Sequence, residues 1–286
     1  HIFKGAYTGN LILDGVVVDR ITAFLFHSGG DDDPASLSQN SKLSYIGCDI
    51  KGQGFLFADD DPETTPTSEY RRLVAHNPDN LAVLSPYMSG EEINDSPTFS
   101  PSRWVINFGE RRLEDCHRWP ELLAIVVSKV RPERGKKSKE LVDWPWWQFW
   151  RSRDHLAQSI AGKSHMLALS RVNSWVSIAR VPTGVVYSEA VVLFSIDNHS
   201  FFAVLQSRVH ELWARFFSST ALELLRYSPS NSFETFPFPS QFESNSTMEQ
   251  VGREYYEFRG ALMVRNNEGL TATYNRFHDQ DERSPD

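Results

Sequence analysis

The sequence has few residues that could crosslink the chain or bind a metal. Two of its 286 residues are cysteines, Cys48 and Cys116, and they lie far apart without the spacing of zinc ligands. Neither a disulfide framework nor a metal site is therefore indicated, and we expect a cytoplasmic protein. No apolar run approaches the roughly 18 to 20 residues of a membrane-spanning helix, so a membrane is not an expected partner.

The patterns of common catalytic sites are also missing. The sequence has no His-x-x-x-His pair and no Gly-x-Ser-x-Gly elbow. The stretch "GCDIKGQG" at 47–54 lacks the third glycine of a nucleotide-binding loop, and "FLFA" follows it instead of a helix, so we interpret Gly52 and Gly54 as bends. Asp49 and Lys51 form half of the pattern of a magnesium-dependent nuclease, but no partner carboxylate ends a preceding strand. The chain is therefore predicted to be non-catalytic.

Charge is distributed unevenly along the chain. The net charge of −8 and the pI of about 5.6 argue against a protein coated with positive charge for non-specific DNA binding. The basic run "SKVRPERGKKSK" at 128–139 stands out from this acidic background and leads into "WPWWQFWRSR" at 144–153. Such a run is compatible with a focused anion contact, and a solvated loop is the alternative.

The order of apolar periodicities predicts an α+β fold, with a mixed or antiparallel sheet core, flanking helices and a C-terminal helical segment. We expect a tight turn at Ser89–Gly90 and an interruption of a helical segment at Pro120. Other segments have helical spacing: 67–80, 200–219 as one long amphipathic helix, and 246–278 with a break marked by Asn266–Asn267 and Gly269. The first residue, His1, is not methionine, which favours a trimmed fragment.

Several long stretches are distinctive in their order: "HIFKG", "SYIGCDIKGQGF", "LSPYMSGEEIN", "SRWVINFG", "WPELLAIVVSKVRPER", "FFAVLQSRVHELWARFFSS", "RYSPSNSFETFPFP" and "REYYEFRGALMVRNNEGLTATYNRFHD". In this order they resemble the C-terminal half of MmeI-like enzymes, the Type IIL restriction–modification group. Those single chains join an endonuclease, an adenine N6 DNA methyltransferase and a target recognition domain.

The resemblance implies that this chain is the DNA-recognition part of a bacterial methylation and phage-defence enzyme. It implies strands and a linker over 1–40, the target recognition domain over 41–239, and a helical segment over 240–286. Double-stranded DNA and the upstream methyltransferase domain are the implied partners. The family's Asn-Pro-Pro-Tyr motif is absent, because "HNPDN" at 76–80 has Asp79 in place of the second proline. S-adenosylmethionine is therefore expected only in the parent enzyme, and so is any magnesium.

Within the resemblance, two sets of residues are DNA-contact candidates. The basic run supplies the candidates for phosphate contacts: Lys129, Arg131, Arg134, Lys136, Lys137 and Lys139. Polar residues at the ends of predicted strands and of a helix are the candidates for reading base edges in the major groove: Arg171, Asn173, Ser174, Arg180, Ser218, Ser219, Thr220, Glu223 and Arg226. For each residue alone, an ordinary surface or capping role is the alternative.

The resemblance also gives a place to the strap, residues 233–239 ("FETFPFP"), at the end of the recognition domain. We expect Phe233, Phe236 and Phe238 to be buried anchors, and Pro237 and Pro239 to fix an extended path.

Two other functions stay open at this level. The acidic charge favours a docking module for another protein or another domain, with little affinity for DNA alone. An enzymatic activity of residues 1–286 would require a catalytic motif that the sequence lacks.

Overall fold

The computed structural model describes residues 9–22, 24–222 and 224–284. The chain forms two compact units, His1–Ala35 and Ser36–Asp286. The described part of the first unit contains a hairpin of β1 (Leu11–Leu13) and β2 (Val16–Val18). Its turn residues Asp14 and Gly15 both have positive φ, 51° and 81°, which suits the twist of a two-residue hairpin turn. The short strands predicted near the N-terminus are confirmed.

The second unit mixes strands and helices. Its strands are β3 (Ser44–Ile46), β4 (Leu56–Phe57), β5 (Leu84–Met88), β6 (Arg103–Ile106), β7 (His165–Ser170), β8 (Val172–Asn173), β9 (Ala179–Pro182), β10 (Val186–Tyr187), β11 (Val191–Phe194), β12 (Ser219–Ala221) and β13 (Leu224–Arg226). Its helices are α1 (Thr67–His76), α2 (Gly90–Asp95), α3 (Leu113–Cys116), α4 (Pro120–Arg134), α5 (Lys139–Val142), α6 (Asp154–Ser159), α7 (His199–Leu205), α8 (Arg208–Phe217), α9 (Ser246–Asn266) and α10 (Leu270–His278).

These strands form three sheets, with orders β10-β5-β6-β4, β3-β11-β7-β9 and β12-β13-β8. The β10–β5 pair is parallel, and the other pairs are antiparallel. The mixed order without βαβ repeats confirms the predicted α+β fold.

The β3-β11-β7-β9 sheet is covered on both faces. Successive residues of a strand point to opposite faces, and in β7 and β11 they enter two different apolar clusters. One face presents Leu167, Leu169, Val192 and Phe194 to a cluster with α7 and the strap, and the other presents Met166, Ala168, Val191 and Leu193 to a cluster with α10. This burial on both faces explains why these strands are continuous apolar runs.

Two segments differ from their sequence-based predictions. Residues 200–219 form two helices because α7 ends at Leu205 and the Ser207 hydroxyl caps α8 by accepting from the His210 amide. The tight turn expected at Ser89–Gly90 is the start of α2, where Ser89 and Glu92 form a capping box. The breaks at Pro120, the first residue of α4, and at Asn267, between α9 and α10, are confirmed.

The buried side chain of Asn40 forms hydrogen bonds with the backbone of the strap. Asn40 Nδ2 donates to the carbonyl oxygens of Phe233, at 3.0 Å, and Phe236, at 2.9 Å. Phe233 and Phe236 are buried, as predicted, whereas Phe238 is only half-buried and stacks on Phe242 with ring centroids 5.1 Å apart. Both prolines of the strap, Pro237 and Pro239, are exposed.

Candidate nucleic-acid interface

The β12-β13-β8 sheet joins two segments that are distant in sequence. In its register, Arg226 lies between Ser219 on β12 and Val172 on β8, and Leu225 lies opposite Asn173. Segments 171–174 and 218–226 both supplied candidates for base reading. The sheet therefore places most of those candidates side by side, which the sequence alone could not show.

A cleft of about 460 Å³ opens beside this sheet. Three arginines line it: Arg171 after β7, Arg226 on β13, and Arg153 before α6. Hydroxyl groups of Ser219 and of other serines complete a polar lining, and Glu234 is the carboxylate among the described lining residues. The cleft is therefore rich in donors that suit phosphate oxygens and guanine edges.

The arginines of the cleft are close enough to oppose one another. Burial, followed by the positive charges of Arg226 and Arg153, lowers the pKa of Arg171, and Glu189 offsets part of this effect. Among the described residues, Arg171 Nε is buried without a hydrogen-bond partner. An anion or an acceptor-rich base edge in the cleft would offset the repulsion between the arginines.

Arg153 is a cleft residue that the sequence analysis did not propose. It has a left-handed backbone, with φ of 67°, and its Nε donates to the carbonyl oxygen of Gly47 at 3.1 Å. Arg153 also lines a second cleft of about 640 Å³, together with Trp144, Trp150 and Arg151. Its one signal in the sequence is its position at the end of the tryptophan-rich stretch 144–153.

Several candidates for base reading have internal partners instead. Asn173 is buried and its Nδ2 donates to Asn94 Oδ1, at 3.0 Å, and to Ser177 Oγ, at 3.1 Å. The Ser218 hydroxyl lies 2.6 Å from that of Ser232 and accepts from the Ser228 amide. These contacts hold the sheet and the strap in place, so we assign Asn173 and Ser218 to the fold.

Two further candidates are half-buried. Arg180 pairs with Asp197, with Nε 2.5 Å from Oδ1, and the carbonyl oxygen of Ser174 accepts from Arg215. The ion pair occupies the Arg180 guanidinium, whereas the contact of Ser174 is made by its backbone, so base reading by the Ser174 hydroxyl stays a prediction. By contrast, Ser219, Thr220 and Arg226 are exposed. Glu223 lies outside the described residues.

Arg134 has a structural role that its basic surroundings conceal. The side chain is 1% exposed, and its guanidinium donates to the carbonyl oxygens of four residues: Ile50, Lys51, Pro145 and Gln148. Burial lowers its pKa to about 10. Four of its five N–H donors are used inside the fold and the side chain is buried, so we revise its assignment from phosphate contact to a structural role.

The other members of the basic run differ in exposure. Lys129 is half-buried, and its Nζ donates to the carbonyl oxygen of Thr64 at 2.6 Å, so its first role is to fix a loop. The remaining four are exposed: Arg131, Lys136, Lys137 and Lys139. Their contact with phosphate stays a prediction.

The 76–80 stretch, which departs from the family's Asn-Pro-Pro-Tyr motif, has internal hydrogen bonds. In the 76–80 stretch, the Asp79 amide donates to Asn77 Oδ1 and the Asp79 carbonyl accepts from Trp119 Nε1, so this stretch is a structural turn.

Among the described residues, no group of three His, Cys, Asp or Glu side chains could hold a metal ion. Within the same part of the chain, no helix is long and apolar enough to span a membrane.

The family model of the MmeI target recognition domain matches residues 53–240. The chain belongs to the MmeI target recognition domain family. The match covers the β12-β13-β8 sheet, the three arginines of the cleft and the strap, so these are features of the recognition domain.

One solved structure shares this fold. The Type IIL restriction–modification enzyme MmeI, determined in complex with DNA, matches 93% of this chain with 22% sequence identity and a TM-score of 0.66. The chain spans about a third of the MmeI chain, 34%. The type IIG restriction endonuclease BpuSI matches 78% of this chain and 26% of its own, with 13% identity and a TM-score of 0.43. No curated protein sequence matches the chain.

Proposed function

We propose that this recognition domain reads a specific sequence in double-stranded DNA for a restriction–modification enzyme that methylates adenine. The observation that carries the proposal is the convergence of Arg153, Arg171 and Arg226 in one cleft beside the β12-β13-β8 sheet, whose outer hairpin, β12–β13, presents the exposed residues Ser219, Thr220 and Arg226. A β-ribbon fits the major groove of B-DNA, and arginine matches the acceptors of guanine.

Phosphate contacts would set the position of the domain on the duplex. The exposed members of the basic run are suited to this because a phosphate contact needs charge and not a fixed base edge. The net charge of −8 limits how strongly the domain alone can bind a polyanion. We therefore expect weak binding that falls steeply as salt rises.

Methylation itself, with S-adenosylmethionine and any magnesium, is proposed for other parts of the enzyme. A docking function within that enzyme is a second candidate. It is favoured by exposed apolar side chains on α9, among them Val251 and Phe258. Docking to a methyltransferase domain would be compatible with DNA reading.

Fluorescence anisotropy of labelled duplexes tests the proposal. Duplexes enriched by the chain from a random pool should bind more tightly than shuffled duplexes of equal length and composition. The ratio should persist as salt rises although both affinities fall. Equal affinity for the two sets at every salt concentration would overturn the proposal.

A further inference from the structure

The hairpin that carries Arg226 ends in an exposed leucine. The register pairs Ala221 with Leu224, so two residues, 222 and 223, connect β12 to β13. Leu222 has a left-handed backbone, with φ of 58°, and is 97% exposed. The side chain therefore extends from the tip of the ribbon without packing against the domain.

The fold gives no reason for a leucine at this position. Two-residue hairpin turns with positive φ favour glycine, asparagine and aspartate, because a larger side chain is strained in this conformation. An apolar side chain also gains nothing from exposure to water. Strain and exposure together indicate a residue that acts on something outside the domain.

The position of the hairpin tip indicates what kind of surface Leu222 contacts. Ser219 and Arg226 face each other across the same hairpin and both line the arginine cleft. A ribbon with donors at its base and an apolar tip matches a DNA groove, where phosphates lie at the rim. The apolar surfaces that a duplex offers to such a tip are the thymine methyl groups in the major groove and, where a base step is unstacked, the faces of the bases.

We infer that Leu222 enters a groove of the bound DNA and makes an apolar contact with the bases. This inference rests on the proposed function and adds to it a residue that acts without hydrogen bonds. Leu222 would thus complement the arginines, which contact the polar edges of the DNA.

Two alanine variants test the inference on the duplex enriched by the wild-type chain. Leu222→Ala should raise Kd roughly tenfold, as expected for the loss of most of a buried leucine contact. The slope of log Kd against log salt should not change, because no phosphate contact is lost. The control is Leu212→Ala, since Leu212 on α8 is also exposed, at 54%, and its change should leave Kd unaltered.

Leu222→Asn separates the contact from folding. Asparagine tolerates the left-handed conformation, so this variant should melt at the wild-type temperature or higher and still bind weakly. Wild-type affinity of both Leu222 variants would overturn the inference alone, and so would a reduced salt slope. A wild-type chain that enriches no sequence would overturn the proposed function as well.

Discussion

Arg171 and Arg226 line one cleft although α7 and α8 separate them in the chain. The relationship arises from the sheet, in which Arg226 pairs with Val172, the residue that follows Arg171. The positive charge of Arg226 adds to burial in lowering the pKa of Arg171. Such a pair costs stability unless a ligand with acceptors is bound between them, and this is the physical basis for assigning DNA contacts to the cleft.

Removal of the Arg134 side chain should destabilise the fold of the domain, because this side chain is buried. It should not remove a contact with DNA. Arg134→Ala would leave four carbonyl oxygens without their donor, so we expect a loss of roughly 3–5 kcal/mol in the free energy of unfolding. Lys136→Ala, at an exposed position of the same run, should change stability little. Urea unfolding of both variants measures this difference. Equal stability of the two variants would show that Arg134 is not a structural residue.

The strap should be sensitive to truncation of its anchor. Phe236 is buried and makes edge-to-face contacts with His210 and Trp213. Phe236→Ala should therefore destabilise the protein by roughly 3–5 kcal/mol. The control Phe277→Ala, at a site that is 77% exposed, should leave the melting temperature almost unchanged. An unaltered melting temperature for Phe236→Ala would refute the anchor role.

Substitution by alanine at two glycines of α9 should change the stability of the protein in opposite directions. A Cβ at position 252 would lie 2.1 Å from the carbonyl oxygen of His199 on α7, whereas a Cβ at position 260 meets nothing within 4 Å. Gly252→Ala should destabilise the protein because the two helices must separate. Gly260→Ala should stabilise it by up to about 1 kcal/mol through helix propensity. Thermal melts of the two variants decide; a stabilised Gly252→Ala would mean that α9 does not pack closely on α7.

Stability should fall as the pH is lowered through the range of histidine titration. His210 is buried with both ring nitrogens in hydrogen bonds, and burial lowers its pKa to about 4. The unfolded state, with an ordinary pKa near 6.5, takes up a proton that the folded state does not. Above pH 6.5 this difference in pKa contributes about 3 kcal/mol to the free energy of unfolding. The contribution is lost progressively as the pH falls toward 4.

Denaturant unfolding at several pH values measures this loss. The range between pH 6.5 and 5 is the most informative, because there the carboxylates remain charged. The exposed His155 provides the control, since His155→Gln should keep the wild-type pH profile. A measured pKa of His210 near 6.5 would contradict the prediction.

The sequence was sufficient for the fold class and insufficient for the site. Apolar runs and breaks at Pro120 and Asn267 follow from local physical chemistry, so they could be predicted. The pairing of β8 with β13 is a long-range contact without a local signal, and the left-handed Arg153 lies in an irregular segment. Arg134 did have a signal: it continues the buried stripe of Val126 and Val130 at four-residue spacing.

In the proposed mode of DNA recognition, Arg226 reads a base and the exposed lysines of the basic run contact phosphates. Selection of binding sites from random duplexes by the wild-type chain, Arg226→Ala and Lys137→Ala tests it directly. We predict that Arg226→Ala relaxes one position of the selected site, with a loss of roughly 1–3 kcal/mol in discrimination. Lys137→Ala should keep the same site at lower affinity. An unchanged site for Arg226→Ala, with affinity lowered equally on all sequences, would contradict the account.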